Sequence, residues 1–293
     1  MQCELYDSAL GTLVLGCDPY VVVSLQVSSP EVREVVRNRS LADGTLDDTR
    51  YLGARAITMA IRFNDVSRCT ADAEASMQTL IDQLTPYMSP RVRPTLTWQL
   101  PRSTQLRAAV VRGTNWSWSV AGPKAQAIAP QWVVPTGEIL EGGPDARRCV
   151  SIKPSSDTET GRAYNLTFNR SYPASNPIGG RTISNPGTTR SHWTLTFYGP
   201  VGKPSFTING VTFKTDRGSG VTLVAGQTLV VDTRTRTVLL NGVPTASKYA
   251  NTNYDEWSWD DLMLKPGSNT VRFDGTGLSA QSAAEICYTP TYL

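Results

Sequence analysis

The chain has 293 residues, long enough for two domains that each bury a core of their own. With 40% hydrophobic and 18% charged residues it is excluded from the disordered and polyelectrolyte classes. A net charge of +3 gives no argument for a nucleic-acid partner by itself, and no apolar run approaches the roughly 20 residues that a membrane-spanning helix needs, so no membrane insertion is expected.

From the N-terminus, Met1 to Asp7 is acidic and lacks the basic-then-apolar order of a secretion signal. Residues 11–16 and 20–27 read as strands, the second with Val21, Val23, Leu25 and Val27 alternating against Val22, Ser24 and Gln26. Pro30 breaks it, 31–37 is a third candidate strand, and 38–50 reads as a polar loop around the turn signal Asp43-Gly44. A long strand follows, with Ile57, Met59, Ile61 and Phe63 on one face and Thr58, Ala60 and Arg62 on the other. One helix comes next. Thr70 caps it, Asp72 and Glu74 sit at its positive end, and Pro86 stops it. Ala73, Met77, Leu80, Ile81 and Leu84 form a single apolar stripe, as expected of a helix that plugs or covers a small barrel. Beyond the Pro/Arg-rich turn 89–94 strands resume. Leu96, Trp98 and Leu100 alternate, 106–111 follows, Trp116, Trp118 and Val120 alternate with Asn115, Ser117 and Ser119, and 125–134 is the last strand of this half. The stretch 135–144, with Gly142-Gly143-Pro144, marks the boundary and divides the chain into 1–135 and 136–293.

In the second half Tyr164, Leu166 and Phe168 oppose Asn165, Thr167 and Asn169, and 173–190, rich in Pro and Gly, reads as a long loop. Trp193, Leu195 and Phe197 then oppose His192, Thr194, Thr196 and Tyr198. The strongest hairpin signal is Phe206 to Phe213, where the two-residue turn Asn209-Gly210 sets Ile208 opposite Val211 and Phe206 opposite Phe213. Runs at 220–234 and 237–240 follow, and in the last run Val271 and Phe273 share one face while Thr270, Arg272 and Asp274 share the other. Many short strands between turn residues predict a mainly β chain whose second domain is a β-sandwich of jelly-roll type.

Little in the chain reads as reaction chemistry. The one histidine, His192, is expected on the solvent face of a strand, with no acid or cysteine within ten positions to serve a catalytic triad or a metal. The five cysteines, Cys3, Cys17, Cys69, Cys149 and Cys287, are odd in number and widely spread, which predicts reduced thiols in a chain made in a cytosol and neither a disulfide framework nor a zinc site. Gly199 to Pro204 lacks the spacing of a phosphate-binding loop. No enzyme activity, cofactor or metal is therefore expected. The richest polar and aromatic cluster is Tyr249 to Asp261, where Tyr254, Trp257 and Trp259 would make a sugar platform among Asn and Asp side chains. Paired acids could also serve glycoside hydrolysis. The competing reading packs Trp257 and Trp259 inward from one strand face. The Arg-rich stretches 33–39 and 91–93 read as solvated or interface faces.

Two groups of motifs carry a resemblance. Gly226-Gln227-Thr228-Leu229-Val230-Val231-Asp232, then Val238-Leu239-Leu240-Asn241-Gly242, then Leu264-Lys265-Pro266-Gly267-Ser268-Asn269-Thr270-Val271-Arg272-Phe273 resembles the C-terminal domain of siphophage tail components. The run from Asp43 to Thr58 is similar to the loop-and-long-strand segment of the same proteins, the distal tail (Dit) family. The resemblance implies an N-terminal split β-barrel belt domain with one helix and a C-terminal galectin-like β-sandwich. It further implies a hexameric ring at the tip of the phage tail, with the tail tube protein above, a tail-tip hub protein or fibres below, and DNA passing through the lumen. A ring of this kind is expected to use the segment 38–63 as its subunit contact, with Asp43, Asp47, Asp48, Arg50, Tyr51 and Arg55 as the contact residues. Binding of host-surface carbohydrate by the sandwich is the alternative.

Overall fold

The computed structural model describes the chain except for residues 17–19, 39–44, 64–77, 80, 102, 121–125, 144 and 155–179, with backbone alone for 32–38, 45–52, 63, 118–120, 126 and 127. The chain divides into unit 1, Met1–Pro144 with Tyr292–Leu293, and unit 2, Asp145–Thr291.

Unit 1 is built on two sheets. The first has six strands in the order Gly11–Leu15, Gln2–Asp7, Thr95–Gln99, Leu106–Val110, Ile139–Glu141 and Thr291–Tyr292. The second is antiparallel with four: Tyr20–Val27, Arg55–Phe63, Gln126–Val134 and Arg112–Val120. Period two explains why they share a core, since each sheet has one apolar face. Leu5, Leu15, Leu96 and Trp98 from the first join Ile57, Met59, Ile61 and Trp132 from the second in a single buried cluster. Each such side chain contributes about 1.5–3 kcal/mol by leaving water. Residues 81–84 are helical and run into the 3-10 turn Thr85–Met88, and Ile81, Leu84, Tyr87 and Met88 close the cluster. The turn seats on Gly113, where a Cβ would strike the backbone of Met88. The rest of the expected helix, Thr70 to Met77 and Leu80, lies outside the described residues.

Three details of unit 1 differ from the expectation. Gln2–Asp7 is a strand that short-range pattern did not announce, and Ile139–Glu141 is a strand inside the expected boundary stretch. Leu100 lies beyond the strand Thr95–Gln99 and is 52% exposed, so it does not continue the inward alternation of Leu96 and Trp98. Cys3 is buried and free, and burial pushes its thiol up to about 11.

Unit 2 is a sandwich. One sheet runs Arg148–Ile152, Ala283–Tyr288, Trp193–Tyr198, Thr228–Asp232, Thr237–Leu240; the other runs Gly180–Asn185, Gly267–Thr276, Val201–Ile208, Val211–Lys214, with Thr222–Leu223 also paired to Val201–Ile208. Trp193, Leu195 and Phe197 point inward while Thr194 and Thr196 are half-buried and Tyr198 is exposed. The hairpin forms as its turn dictates. Asn209 and Gly210 both have positive φ (50° and 89°), and Phe206 pairs with Phe213 and Ile208 with Val211.

Here too the structure corrects the sequence reading. Cys149 and Cys287, expected as reduced thiols, form a disulfide, because the sandwich sets Arg148–Ile152 beside Ala283–Tyr288 with the two residues directly opposite. A sequence separation of 138 hides that register from any local pattern. Cys17 and Cys69 lie outside the described residues, as does the segment of Tyr164, Leu166 and Phe168. Within the expected loop 173–190, Gly180–Asn185 is a strand paired to Gly267–Thr276 that buries Ile183 and Asn185. His192 does not face solvent from a strand: it precedes Trp193–Tyr198, is half-buried, and its Nδ1 lies 3.3 Å from the Thr233 hydroxyl.

Candidate functional site

The four-stranded sheet of unit 1 is unusual in what its strands leave out. Their sequences, YVVVSLQV, RAITMAIRF, QAIAPQWVV and RGTNWSWSV, hold three arginines and no carboxylate. The residues that alternate away from the core are small and neutral: Ser24, Gln26, Thr58, Ala60, Gln131 and Ser117. Arg62 and Arg112 are exposed on the same face near its two ends. The outer strands of this sheet, Tyr20–Val27 and Arg112–Val120, pair on one side only among the described residues. Apart from Tyr20, whose carbonyl accepts from Gly16 N (2.7 Å), these strands give the sheet two rims that no other described strand pairs with. On the Tyr20–Val27 rim a bulge between Val22 and Ser24 turns Val23 out to 62% exposure.

From the same sheet an arm extends. The outer strand Tyr20–Val27 and its neighbour Arg55–Phe63 stay paired past the sheet, as Ser28 N donates to Ala56 O (2.9 Å), Glu31 N to Ala54 O (3.1 Å) and Gly53 N to Glu31 O. They continue as Val32–Asn38 against Thr45–Leu52, a two-stranded antiparallel sheet that no other described strand joins. Thr45–Leu52 thus stands as a strand where a polar loop was expected; its middle, Asp47 to Arg50, is polar throughout and carries no period-two signal. A lone two-stranded hairpin is marginal in water.

The expected contact residues fall along this ribbon. In the arm Asp47 is opposite Val36, Arg50 opposite Glu34 and Tyr51 opposite Arg33, while Asp48 sits where the register shifts; Asp43 lies outside the described residues. Arg55 differs from the rest. It lies below the arm in the four-stranded sheet, on the core side opposite Val134, and is 3% exposed. Its Nε and Nη2 are buried without a hydrogen-bond partner, and burial lowers its pKa from the usual arginine range. A guanidinium so placed does not reach the surface of the single chain.

The aromatic cluster of unit 2 has a different build from a flat platform. Residues 252–263 form consecutive turns, so Trp257 and Trp259 do not share a strand face. Trp257 is 8% exposed, packs on Phe213 at 5.6 Å and donates its indole N–H to Asn253 Oδ1 (2.8 Å). Trp259 is half-buried, meets Trp257 edge to face at 5.1 Å and stacks on Tyr249 at 6.0 Å. Tyr249 stacks also on Tyr254 at 5.3 Å, and the Arg217 guanidinium, paired to Asp255 at 2.8 Å, lies 4.6 Å over the Tyr254 ring. The ring faces that a sugar would stack on are largely used by each other. The nearby acids hold the turns: the Ser258 hydroxyl (2.7 Å) and then its amide (3.0 Å) donate to Asp261 and keep that carboxyl below its usual range. Among the described residues no group of three metal-ligating side chains converges, and no helix is long and apolar enough to cross a membrane.

Comparison with known proteins bears on both units. Residues 186–292 match the family model of the siphovirus-type tail component, C-terminal domain. The crystal structure of the Dit protein (gp 19.1) of phage SPP1, described as a paradigm of the hub of the adsorption apparatus in phages infecting Gram-positive bacteria, matches over 100% of both chains with a TM-score of 0.64 at 11% identity. A chain of the activated phage p2 baseplate matches over 98% of this chain and 97% of its own at 8% identity, with a TM-score of 0.41. No curated protein sequence matches. The resemblance carried by the sequence motifs thus recurs as a family match over most of unit 2 and as a shared fold over the whole length.

Proposed function

We propose that this chain is a structural subunit of a siphophage tail tip, a distal tail protein that closes with copies of itself into a ring joining the tail tube to the tip or baseplate complex. The observation that carries the reading is the four-stranded sheet whose two outer strands, like the two-stranded arm, have no further strand neighbour among the described residues. Two different rims on one subunit make a head-to-tail contact, and head-to-tail contacts close into rings when the rotation allows. Pairing Tyr20–Val27 of one copy with Arg112–Val120 of the next would satisfy both rows of backbone groups at once. Six copies follow from the family resemblance. The fold shared with SPP1 Dit and the match of unit 2 to tail components support the place in the virion, at the tail tip.

Within such a ring the carboxylate-free face suits a lumen. DNA passing along it would meet small neutral side chains and two arginines, in contacts that are weak, indifferent to sequence and sensitive to salt. The partners are then a tail tube protein on one side and a tip hub protein or fibres on the other. The work of the chain is docking, with no reaction step. Deleting residues 40–50 should convert rings into folded monomers, seen by native mass measurement and negative-stain imaging. Intact rings after the deletion would rule out the arm as the contact. A wild-type chain that stays monomeric even with tube and tip proteins present would rule out the ring.

The carbohydrate-binding alternative draws its support from Tyr254, 43% exposed beside Arg217 and Asp255. It predicts saturable glycan binding that Tyr254→Ala abolishes without lowering stability. A wild-type chain that binds none of the host-surface glycans removes it.

A further inference from the structure

Unit 2 is entered at Asp145 and left at Thr291. The first and last strands wholly within unit 2, Arg148–Ile152 and Ala283–Tyr288, lie side by side and antiparallel. Arg148 stands opposite Tyr288 on the rung nearest both crossings, and Cys149 opposite Cys287 on the rung after it. Tension arriving through the crossings therefore loads this pair as a zipper. The cross-strand hydrogen bonds lie perpendicular to the strands and would break one rung at a time, the weak direction for a ladder. Arg148–Ile152 is also weakly secured: it is at the edge of its sheet, has one strand neighbour, and buries only Ile152 fully. The second rung is the covalent one.

We infer that the Cys149–Cys287 disulfide is a mechanical staple, which ties the two ends of unit 2 together and carries load past the fold. Force passes from Asp145 to Cys149, across the sulfur–sulfur bond to Cys287, and out at Thr291, so that of the sandwich only the contacts of Tyr288 with Trp193 and Ser184 and of Thr291 with Thr189 and Ser191 share the load. The inference stands on the connectivity of unit 2 and is independent of the ring. It also names a modification site. Cys149 is exposed while Cys287, directly opposite, is 8% exposed, so a reductant reaches the bond from the Cys149 side. A phosphine opens it by taking up oxygen from water to become the phosphine oxide, and leaves two thiols.

The test holds the full-length chain by handles at Met1 and Leu293 and stretches it to complete unfolding, with and without a phosphine. The loop of 138 residues should be missing from the contour length until the phosphine is added, a difference of about 500 Å at 3.6 Å per residue. Equal lengths in both conditions overturn the staple. The double variant Cys149→Ser with Cys287→Ser should show the long form throughout; should it fail to fold, reduction of the wild type makes the same comparison. Hydrogen exchange reads the zipper without force. Reduction should speed exchange of the Arg148–Ile152 amides at least tenfold while those of Trp193–Tyr198 hold, and unchanged protection of Arg148–Ile152 overturns the claim that this strand depends on the bond.

Discussion

Phe197→Ala should cost unit 2 about 3–5 kcal/mol, the range for removing a large aromatic side chain from a packed core. Phe197 is fully buried at the centre of the sandwich, between Leu229 and Ala284 on its own sheet. Its ring lies 5.5 Å from Phe273, 6.4 Å from Phe206 and 6.4 Å from Phe213, all three on the opposite sheet. The hole left by truncation is bounded by two hydrogen-bonded sheets, which cannot collapse into it as a loop would. The four rings also lose tilted, edge and stacked contacts that add to simple burial. Denaturant unfolding followed by tryptophan fluorescence measures the loss, and Phe197→Leu should recover more than half of it. A loss under about 1 kcal/mol would mean that the two sheets are not packed as described.

Asn253→Ala should cost about 2–4 kcal/mol through hydrogen bonds that nothing else can make. Asn253 is 5% exposed and all four of its bonding directions are used. Oδ1 accepts from the Lys214 amide and the Trp257 indole (2.8 Å each), and Nδ2 donates to Thr212 O (3.0 Å) and to Glu256 (2.8 Å). Alanine would strand the buried indole N–H and the Lys214 N–H together. The side chain pins the turns of 252–263 to the strand Val211–Lys214, so the stack of Tyr249, Tyr254 and Trp259 should loosen with it. A red shift in tryptophan emission before global unfolding would report that loosening. Thermal unfolding indistinguishable from wild type would show that the bonds are dispensable.

How much of this was legible depends on the range of the determining contact. Trp193, Leu195 and Phe197 could be read because burial alternates within six residues, and Asn209-Gly210 because its positive φ angles are a property of the turn itself. Gly180–Asn185 could not, since its partner strand lies more than 80 residues on and only Ile183 among its apolar positions signals the pairing. The disulfide was hidden for the same reason. The segment 45–50 reads as loop for another reason: the middle of TLDDTRYL is polar throughout and shows no apolar alternation. Sequence reasoning placed Trp257 and Trp259 on one strand face because their spacing permits it, whereas Asn253 and Ser258, through their local hydrogen bonds, turn the segment instead. The absence of carboxylates from four strands could have been seen in the sequence, but their union in one sheet could not.

At the foot of the arm the chain leaves itself little angular choice. Gly137, at φ 67°, sits so near Gly53 that a Cβ there would run into the Gly53 carbonyl oxygen, with the Cβ of Pro30 also at hand. The foot of the ribbon, at Pro30 and Gly53, is therefore packed against the turn at Gly137. In the ring proposed above, an anchored foot would leave the ribbon less orientational freedom to surrender on docking, which would lower the entropic cost of that step.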